Sequence, residues 1–305
     1  MADFTTVISG TTELDDSQVT KYSQGIALAY QEAAIADTLV TQIQSGPASA
    51  FVFRKYSKIA VPAAALTENE EVVSTVMADS KVTLTPAEEG AVITRTKLIN
   101  LQSGGIIDEI AARLVGVNMQ ETEDTRLLTV AAASTNYLTE NDVAKTALTA
   151  SNVLTRNLLD WGYVKLRAAS IPKMAGDKYV CVMHPHVASD YRQQSDGFLD
   201  ISKYQNAMKL YNNEIGTDVG FRIIENALVP ITVDGGSGTV DIYPTILIGL
   251  NGLGLGESEA SHPTIAYTDK LNRFLHLGWT GVWQFGIIDT NAVWVIWTAS
   301  SRGTN

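Results

Sequence analysis

The stretch from residue 50 to 97 most constrains what this chain can fold into. β-type residues at Phe51, Val52, Phe53, Tyr56, Ile59 and Val61 are followed, after a polar stretch, by Val82, Thr83, Leu84 and Thr85. The pattern predicts two long strands joined by a loop with Glu68, Glu70 and Glu71 near its tip. Such a ribbon is marginal alone in water, because ordering costs about 1–2 kcal/mol per residue and two strands have little core to offset it. It must lie on something else. The base of the first strand is positive (Arg54, Lys55, Lys58) and the tip is negative. These residues are therefore candidates for charge pairing with a neighbouring copy of the same chain.

The rest of the chain supplies a core. It has 305 residues, 45% of them apolar, enough for one large domain or two of ordinary size. Residues 1–50 carry six acids against one base, and apolar residues are sparse before residue 26, which reads as an extended arm containing one short helix. From Gly105 the pattern becomes helical, with Ile107, Ile110, Leu114 and Val117 on one face and Leu128 and Ala131 continuing it. Asp108 and Glu109 fall in the first turn, where the helix dipole favours acids. This helix is predicted to run about 25–28 residues, roughly 40 Å, the length of a structural spine.

A second helix is predicted from near Ser151, with Leu154, Leu158, Trp161, Val164 and Ala168 on one face and Pro172 beyond its end. A buried strand over 179–183 stops at His184-Pro185, and short helices are expected over 186–194 and 204–211. In the run 211–226, Gly216 and Gly220 punctuate a turn ahead of a β-type segment, 221–225, so these glycines are read as shape-determining. A turn at 234–238 and a strand at 245–250 complete an α+β unit with mixed connections. Residues 282–288 and 292–298, joined by Asp289-Thr290-Asn291, read as a hairpin; four of the five tryptophans fall within nineteen residues here, which marks a heavily packed sheet.

Charge and motifs exclude several functions. A net charge of -11 argues against sequence-reading of nucleic acid, which needs clustered lysine and arginine, although an acidic protein can still enclose DNA without gripping it. One cysteine excludes an intramolecular disulfide, no basic start precedes an apolar core as in a signal peptide, and no apolar run is long enough to span a membrane, so a cytosolic protein is expected. His184 and His186 alternate as zinc ligands can, yet no acid or thiol lies at ligand spacing and Asp190 falls in the following helix; the pair is read as ending a strand and capping a helix. His262 and His276 are isolated. Cys181, between Val180 and Val182, is read as a small buried hydrophobe. Gly249, Gly252, Gly254 and Gly256 lack the phosphate-loop order and read as a tight loop at a packed or symmetric surface. No Gly-x-Ser-x-Gly elbow occurs, and Glu121, Glu123 and Asp124 are read as a solvated or intersubunit face. No catalytic residue, cofactor site or metal site emerges.

The order of parts is more informative than any single residue. An acidic arm, a long ribbon, a spine helix, a mixed α+β unit and a closing hairpin resemble the HK97-like fold of tailed-bacteriophage major capsid proteins over nearly the whole chain. Four stretches carry the resemblance: Ala65-Leu66-Thr67-Glu68-Asn69-Glu70 at the loop tip, Glu89-Gly90-Ala91-Val92-Ile93-Thr94-Arg95-Thr96 on the return strand, Tyr179-Val180-Cys181-Val182-Met183-His184-Pro185, and Glu214-Ile215-Gly216 with Gly220-Phe221-Arg222-Ile223-Ile224-Glu225. It implies an α+β fold with an N-terminal arm (1–50), an extended loop (51–97), a peripheral domain with spine helix and closing hairpin (98–148 and 269–305) and an axial domain (149–268).

The resemblance further implies a non-enzymatic subunit, without cofactor, that self-assembles into hexamers and pentamers of an icosahedral head shell around double-stranded DNA. A portal and a separate scaffolding or decoration protein are the implied partners. No charged helical extension precedes the arm, so assembly is expected to use a separate scaffold or none. The location implied is the virion, after assembly in the host bacterial cytoplasm, with no membrane; the acidic arm is expected to face the interior, where it would repel packaged DNA. Two other readings stay open: an encapsulin-like nanocompartment shell of the same fold with a cargo-docking groove, and a cytosolic α+β hydrolase.

Overall fold

Strands of β-branched and aromatic residues form two larger sheets and a two-stranded ribbon, and one long helix packs against both larger sheets. The computed structural model describes residues 35–59, 61, 71, 74–102, 106–174, 176–194 and 214–303. In chain order its elements begin with α1 (Ala36–Leu39), β1 (Gln42–Ser45), β2 (Phe51–Tyr56), β3 (Asp79–Leu84), β4 (Ala87–Thr96) and α2 (Lys97–Gln102). There follow α3 (Ile106–Ala132), β5 (Tyr137–Leu138), α4 (Arg156–Ala168), β6 (Tyr179–Met183), α5 (Pro185–Gln194), β7 (Glu214–Asp218) and β8 (Phe221–Glu225). The last are β9 (Tyr243–Ile248), β10 (Leu253–Thr268), β11 (Phe274–Ile287) and β12 (Val293–Thr298). The expected helix over 204–211 lies outside the described residues.

One sheet has six strands in the order β5-β12-β9-β6-β8-β7 and mixes parallel and antiparallel pairs. Its central strand β6 is buried throughout. Val180 and Val182 join the core shared with α3, while Tyr179, Cys181 and Met183 point to the opposite face, under α4 and α5. A strand covered on both faces needs apolar residues at every position, which is why this run does not alternate. The second sheet has four strands, β1-β10-β11-β4, and Trp279, Trp283 and Phe285 of β11 meet Met119, Leu127 and Leu128 of α3 in that same core.

The spine helix has the expected length of 27 residues, but its inward face differs from the expected one. Ala111, Ala112, Val115 and Met119 are buried, whereas Ile110, Leu114 and Val117 are exposed; Leu128 and Ala131 are buried as expected. The side that joins the core carries Ala111, Ala112, Val115, Met119, Leu127 and Leu128, so the stripe of Ile110, Leu114 and Val117 is turned outward. The same correction applies to α4. Leu158, Leu159, Gly162 and Leu166 are buried and Trp161 and Val164 are exposed. The reason is Gly162, whose missing Cβ would stand 2.3 Å from Leu247 Cδ1, so the helix touches β9 at that point.

The closing hairpin is the largest correction. β11 and β12 do not pair; β11 lies between β10 and β4, and β12 lies between β9 and β5 in the other sheet. Asp289-Thr290-Asn291 does form a tight turn, with Asp289 Oδ1 accepting the Asn291 N–H at 3.0 Å, but it passes the chain from one sheet to the other. The hairpin in this region is β10–β11, running from Leu253↔Ile287 to Thr268↔Phe274. A boundary at 268/269 therefore passes through one hairpin, and the tryptophans divide between two sheets.

Candidate assembly surfaces

The ribbon forms as expected at its base, in register from Phe51↔Leu84 to Tyr56↔Asp79. Phe51, Phe53 and Leu84 bury against Ile288 and the partly buried Val82. Two glycines make the seat: a Cβ on Gly286 would lie 2.3 Å from Leu84 Cδ2, and one on Gly256 would lie 2.7 Å from the Phe51 ring. Gly254 and Gly256, expected in a loop, thus belong to β10, where their small size admits the neighbouring element. Beyond the base, Tyr56, Ile59, Val61, Val76 and Met77 are exposed.

The ribbon's candidate charges are placed as follows. Arg54 Nη1 lies 3.3 Å from Asp79 Oδ2 across the ribbon, and Lys55 Nζ lies 2.5 Å from Asp289 Oδ2. Both pairs are within one chain, and such partly exposed pairs contribute at most about 1 kcal/mol each. Lys58 and Glu71 are exposed. Glu68 and Glu70 lie outside the described residues.

A set of buried acids holds the frame of the four-stranded sheet and the spine helix. Asp108, placed in the first turn of α3 by the sequence, is buried and receives a two-pronged contact from Arg95 of β4, with Nη2 to Oδ2 at 2.8 Å. Of the mid-helix acids only Glu121 is exposed; Glu123 and Asp124 are buried, which corrects the expectation of a solvated face. Asp124 Oδ1 accepts the Ala36 N–H at 2.9 Å and so ties α1 to the spine. Ser261 Oγ donates to Glu123 Oε1 and accepts the Trp283 indole N–H at 2.9 Å. Burying these carboxylates requires such partners, since an unpaired buried charge costs several kcal/mol.

The glycine pair separates into two roles. Val219 (φ 48°) and Gly220 (φ 78°) form the two-residue turn joining β7 to β8, with Asp218 opposite Phe221. Two positive φ angles in succession are the geometry that matches the twist of a hairpin. Gly220 is also closed in by Tyr163, whose Cε2 would lie 2.6 Å from an added Cβ. Gly216 is not in the turn; it sits within β7 beside a register shift between Glu214 and Gly216. Asp218 anchors the turn by accepting from Arg156 Nη2 (3.0 Å), Tyr191 Oη (2.6 Å) and the Val219 N–H (2.8 Å). Burial and the bond to Asp218 push the Tyr191 phenol well up.

The side chains weighed for chemistry are engaged within the fold. His184 Nδ1 accepts the His186 N–H at 3.2 Å and the two rings pack edge to face, 4.6 Å apart. Burial, with the neighbouring His186, lowers His184 to about 4. His276 lies between Thr94 Oγ1 and Thr268 Oγ1. Cys181 is buried, and burial pushes its thiol up. Among the described residues no three His, Cys, Asp or Glu side chains are grouped to hold a metal ion. No described helix is long and apolar enough to cross a membrane. An open depression on α4 is lined by Asn157, Asp160, Trp161 and Val164.

Comparison with known proteins agrees with a shell subunit. Among solved structures, the capsid of Ralstonia phage GP4 superimposes with a TM-score of 0.75 at 10% identity, covering 90% of this chain and 93% of that one. The cyanophage Pam1 capsid gives 0.67 at 12% identity, covering 99% and 100%. A virus-like particle from Pyrococcus furiosus gives 0.52 at 9% identity, covering 91% and 98%. No curated protein sequence matches. At these identities the structural likeness establishes the HK97-like fold. The sequence profile described as "Phage capsid protein" matches residues 87–296, from the start of β4 to β12. The chain therefore belongs to the phage capsid protein family, as a structural subunit of the head shell.

Proposed function

We propose that this major capsid protein assembles into hexamers and pentamers that close around packaged double-stranded DNA. Within the subunit, the six-stranded sheet with α4 and α5 is the axial unit that meets its copies around the symmetry axes. The four-stranded sheet with the spine helix is the periphery. The ribbon lies across an adjacent subunit, and the acidic N-terminal arm (1–50) faces the interior. A portal and a separate scaffolding or decoration protein complete the head, which is assembled in the host bacterial cytoplasm.

The observation that carries this reading is the ribbon, buried at Phe51, Phe53 and Leu84 and exposed beyond them. At about 25 cal/mol per Å² of apolar surface removed from water, a neighbour supplies the burial that the ribbon's own chain does not. Net charge supports the interior role of the arm, because an acidic lining leaves DNA free to move. Against the nanocompartment reading stands the family match itself.

The test is expression of the chain, followed by sizing and negative-stain microscopy. Megadalton particles are expected, and a small oligomer under all conditions would refute the reading. Deleting residues 64–78, which spares the paired strand β3, is expected to leave a folded subunit that does not close into particles. Normal shells from that deletion would remove the ribbon's proposed role.

A further inference from the structure

Every open sheet ends in edge strands, whose outward N–H and C=O groups are templates for another strand. The two larger sheets have four such edges, and three of them are blunt. β1 has four residues, β5 has two, and β7 has five with a register shift between Glu214 and Gly216. β4 is different. It runs for ten residues, about 33 Å, and pairs with β11 in unbroken register from Phe274↔Thr96 to Trp283↔Ala87. It contains neither proline nor lysine, the residues that commonly protect an edge. Its other side has no strand partner among the described residues. Alternate residues of an antiparallel edge turn both backbone groups outward, so about five residues of β4 offer an N–H and a C=O to a partner.

The middle of this edge, Gly90-Ala91-Val92-Ile93-Thr94, carries no charge. Ala91 and Ile93 pack on the core shared with the spine helix, which turns Val92 to the opposite face, where it is 63% exposed. Charge flanks this middle unevenly, with Glu88 and Glu89 before it and Arg95 and Lys97 after it. An in-register parallel copy of β4 sets acid against acid. An antiparallel copy centred on Val92 sets Glu89 against Arg95, Gly90 against Thr94, Ala91 against Ile93, and Val92 against itself. Acid then meets base and small residues meet larger ones, as cross-strand pairing favours. Within its own chain Glu89 lies 2.9 Å from Arg126 Nη2, and Arg95 Nη2 donates to Asp108 Oδ2 at 2.8 Å. The joined edge therefore carries a row of alternating charge, from Arg126 and Glu89 to Arg95 and Asp108 of the partner subunit.

We propose that β4 is a two-fold interface, at which β4 of a second copy adds antiparallel with Val92 at the axis, joining two four-stranded sheets into one. The proposal rests on the capsid reading and gives it a seam. Contacts around a hexamer or pentamer are head-to-tail, whereas here one patch meets itself, so the contact links subunits of neighbouring capsomers.

The native cysteine, Cys181, is buried, so an introduced thiol is read without background. Facing residues in such a ladder have Cβ atoms about 4.5–5.5 Å apart, which a small adjustment brings within disulfide reach. Particles of Val92→Cys, oxidised with copper phenanthroline, are expected to give covalent dimers on denaturing gels. Thr94→Cys, whose copies lie roughly 14 Å apart across the axis, is expected to give none. No dimer from Val92→Cys in intact particles, or equal dimer from Thr94→Cys, would overturn the proposal and leave the capsid reading standing. Failure of the unmodified chain to form particles would instead overturn the capsid reading.

Charge at the axis gives a second readout that needs no crosslink. Val92→Lys sets two like charges against each other, and is expected to give folded capsomers whose yield of closed particles falls about tenfold. Val92→Thr, uncharged and equally suited to a strand, is expected to assemble as the unmodified chain does. Normal particle yield from Val92→Lys, or an equal loss in both variants, would overturn the proposal.

Discussion

His184 should make the unit built on the six-stranded sheet acid-sensitive in a defined window. The side chain is buried where β6 ends, its Nδ1 accepts the His186 N–H that opens α5, and burial lowers it from 6.5 to about 4. Above pH 6.5 the ring is neutral in both folded and unfolded chains and favours neither. As pH falls below 6.5 the unfolded chain takes up a proton that the folded chain refuses, so stability falls with pH until about 4, where the folded chain also protonates. The shift of roughly 2.5 units, at 1.36 kcal/mol per unit, amounts to about 3 kcal/mol lost across that window. His184→Asn retains an acceptor for the His186 N–H but does not titrate. Urea unfolding of both proteins between pH 7 and 4, followed by tryptophan fluorescence, isolates the histidine from the carboxylates common to both. The wild type is expected to lose about 3 kcal/mol more than the variant, with the difference accumulating between pH 6.5 and 4. Parallel pH profiles for the two proteins would refute the reasoning.

The remaining predictions concern the frame. Val219 is a β-branched residue at φ 48°, where asparagine is far better tolerated, so Val219→Asn is expected to raise stability by about 1 kcal/mol in urea unfolding. Gly220→Val, which adds both left-handed strain and a collision with Tyr163, is expected to cost at least about 2 kcal/mol and more than Gly216→Val; the reverse order would contradict the turn assignment. Arg95→Met, which removes the two-pronged contact to the buried Asp108 carboxylate, is expected to cost about 3–5 kcal/mol, and Arg95→Met/Asp108→Leu to recover most of it. An additive double variant would show that the pair is not coupled.

Local signals proved strongest where one segment supplies its own evidence. The strand 179–183, the strand 221–225 and the 27-residue spine were legible because continuous apolar runs and helical periodicity are properties of a few consecutive residues. The ribbon was legible for the same reason, and so was its lack of a core. The inward faces of α3 and α4 were not. Each helix has two stripes that satisfy the same spacing, and the choice between them depends on the fit to a sheet that the helix's own sequence does not describe. β10 was missed because glycines, Glu257, Glu259 and Pro263 interrupt its pattern, although each is compatible with a strand whose neighbours accept them.

From sequence alone, the chain declares an acidic, catalytically silent α+β protein with a ribbon that needs a partner, and the order of its parts resembles a phage capsid subunit. Tertiary structure decided which strands pair, and so moved β12 into the sheet of β6, β8 and β9 while β10 and β11 joined the sheet beneath the ribbon. It also decided which apolar residues remain in water. Pairing and burial are settled between segments far apart in the chain, by packing that no short window of sequence contains, and the exposed stripe of the spine becomes visible only once the buried one has been chosen.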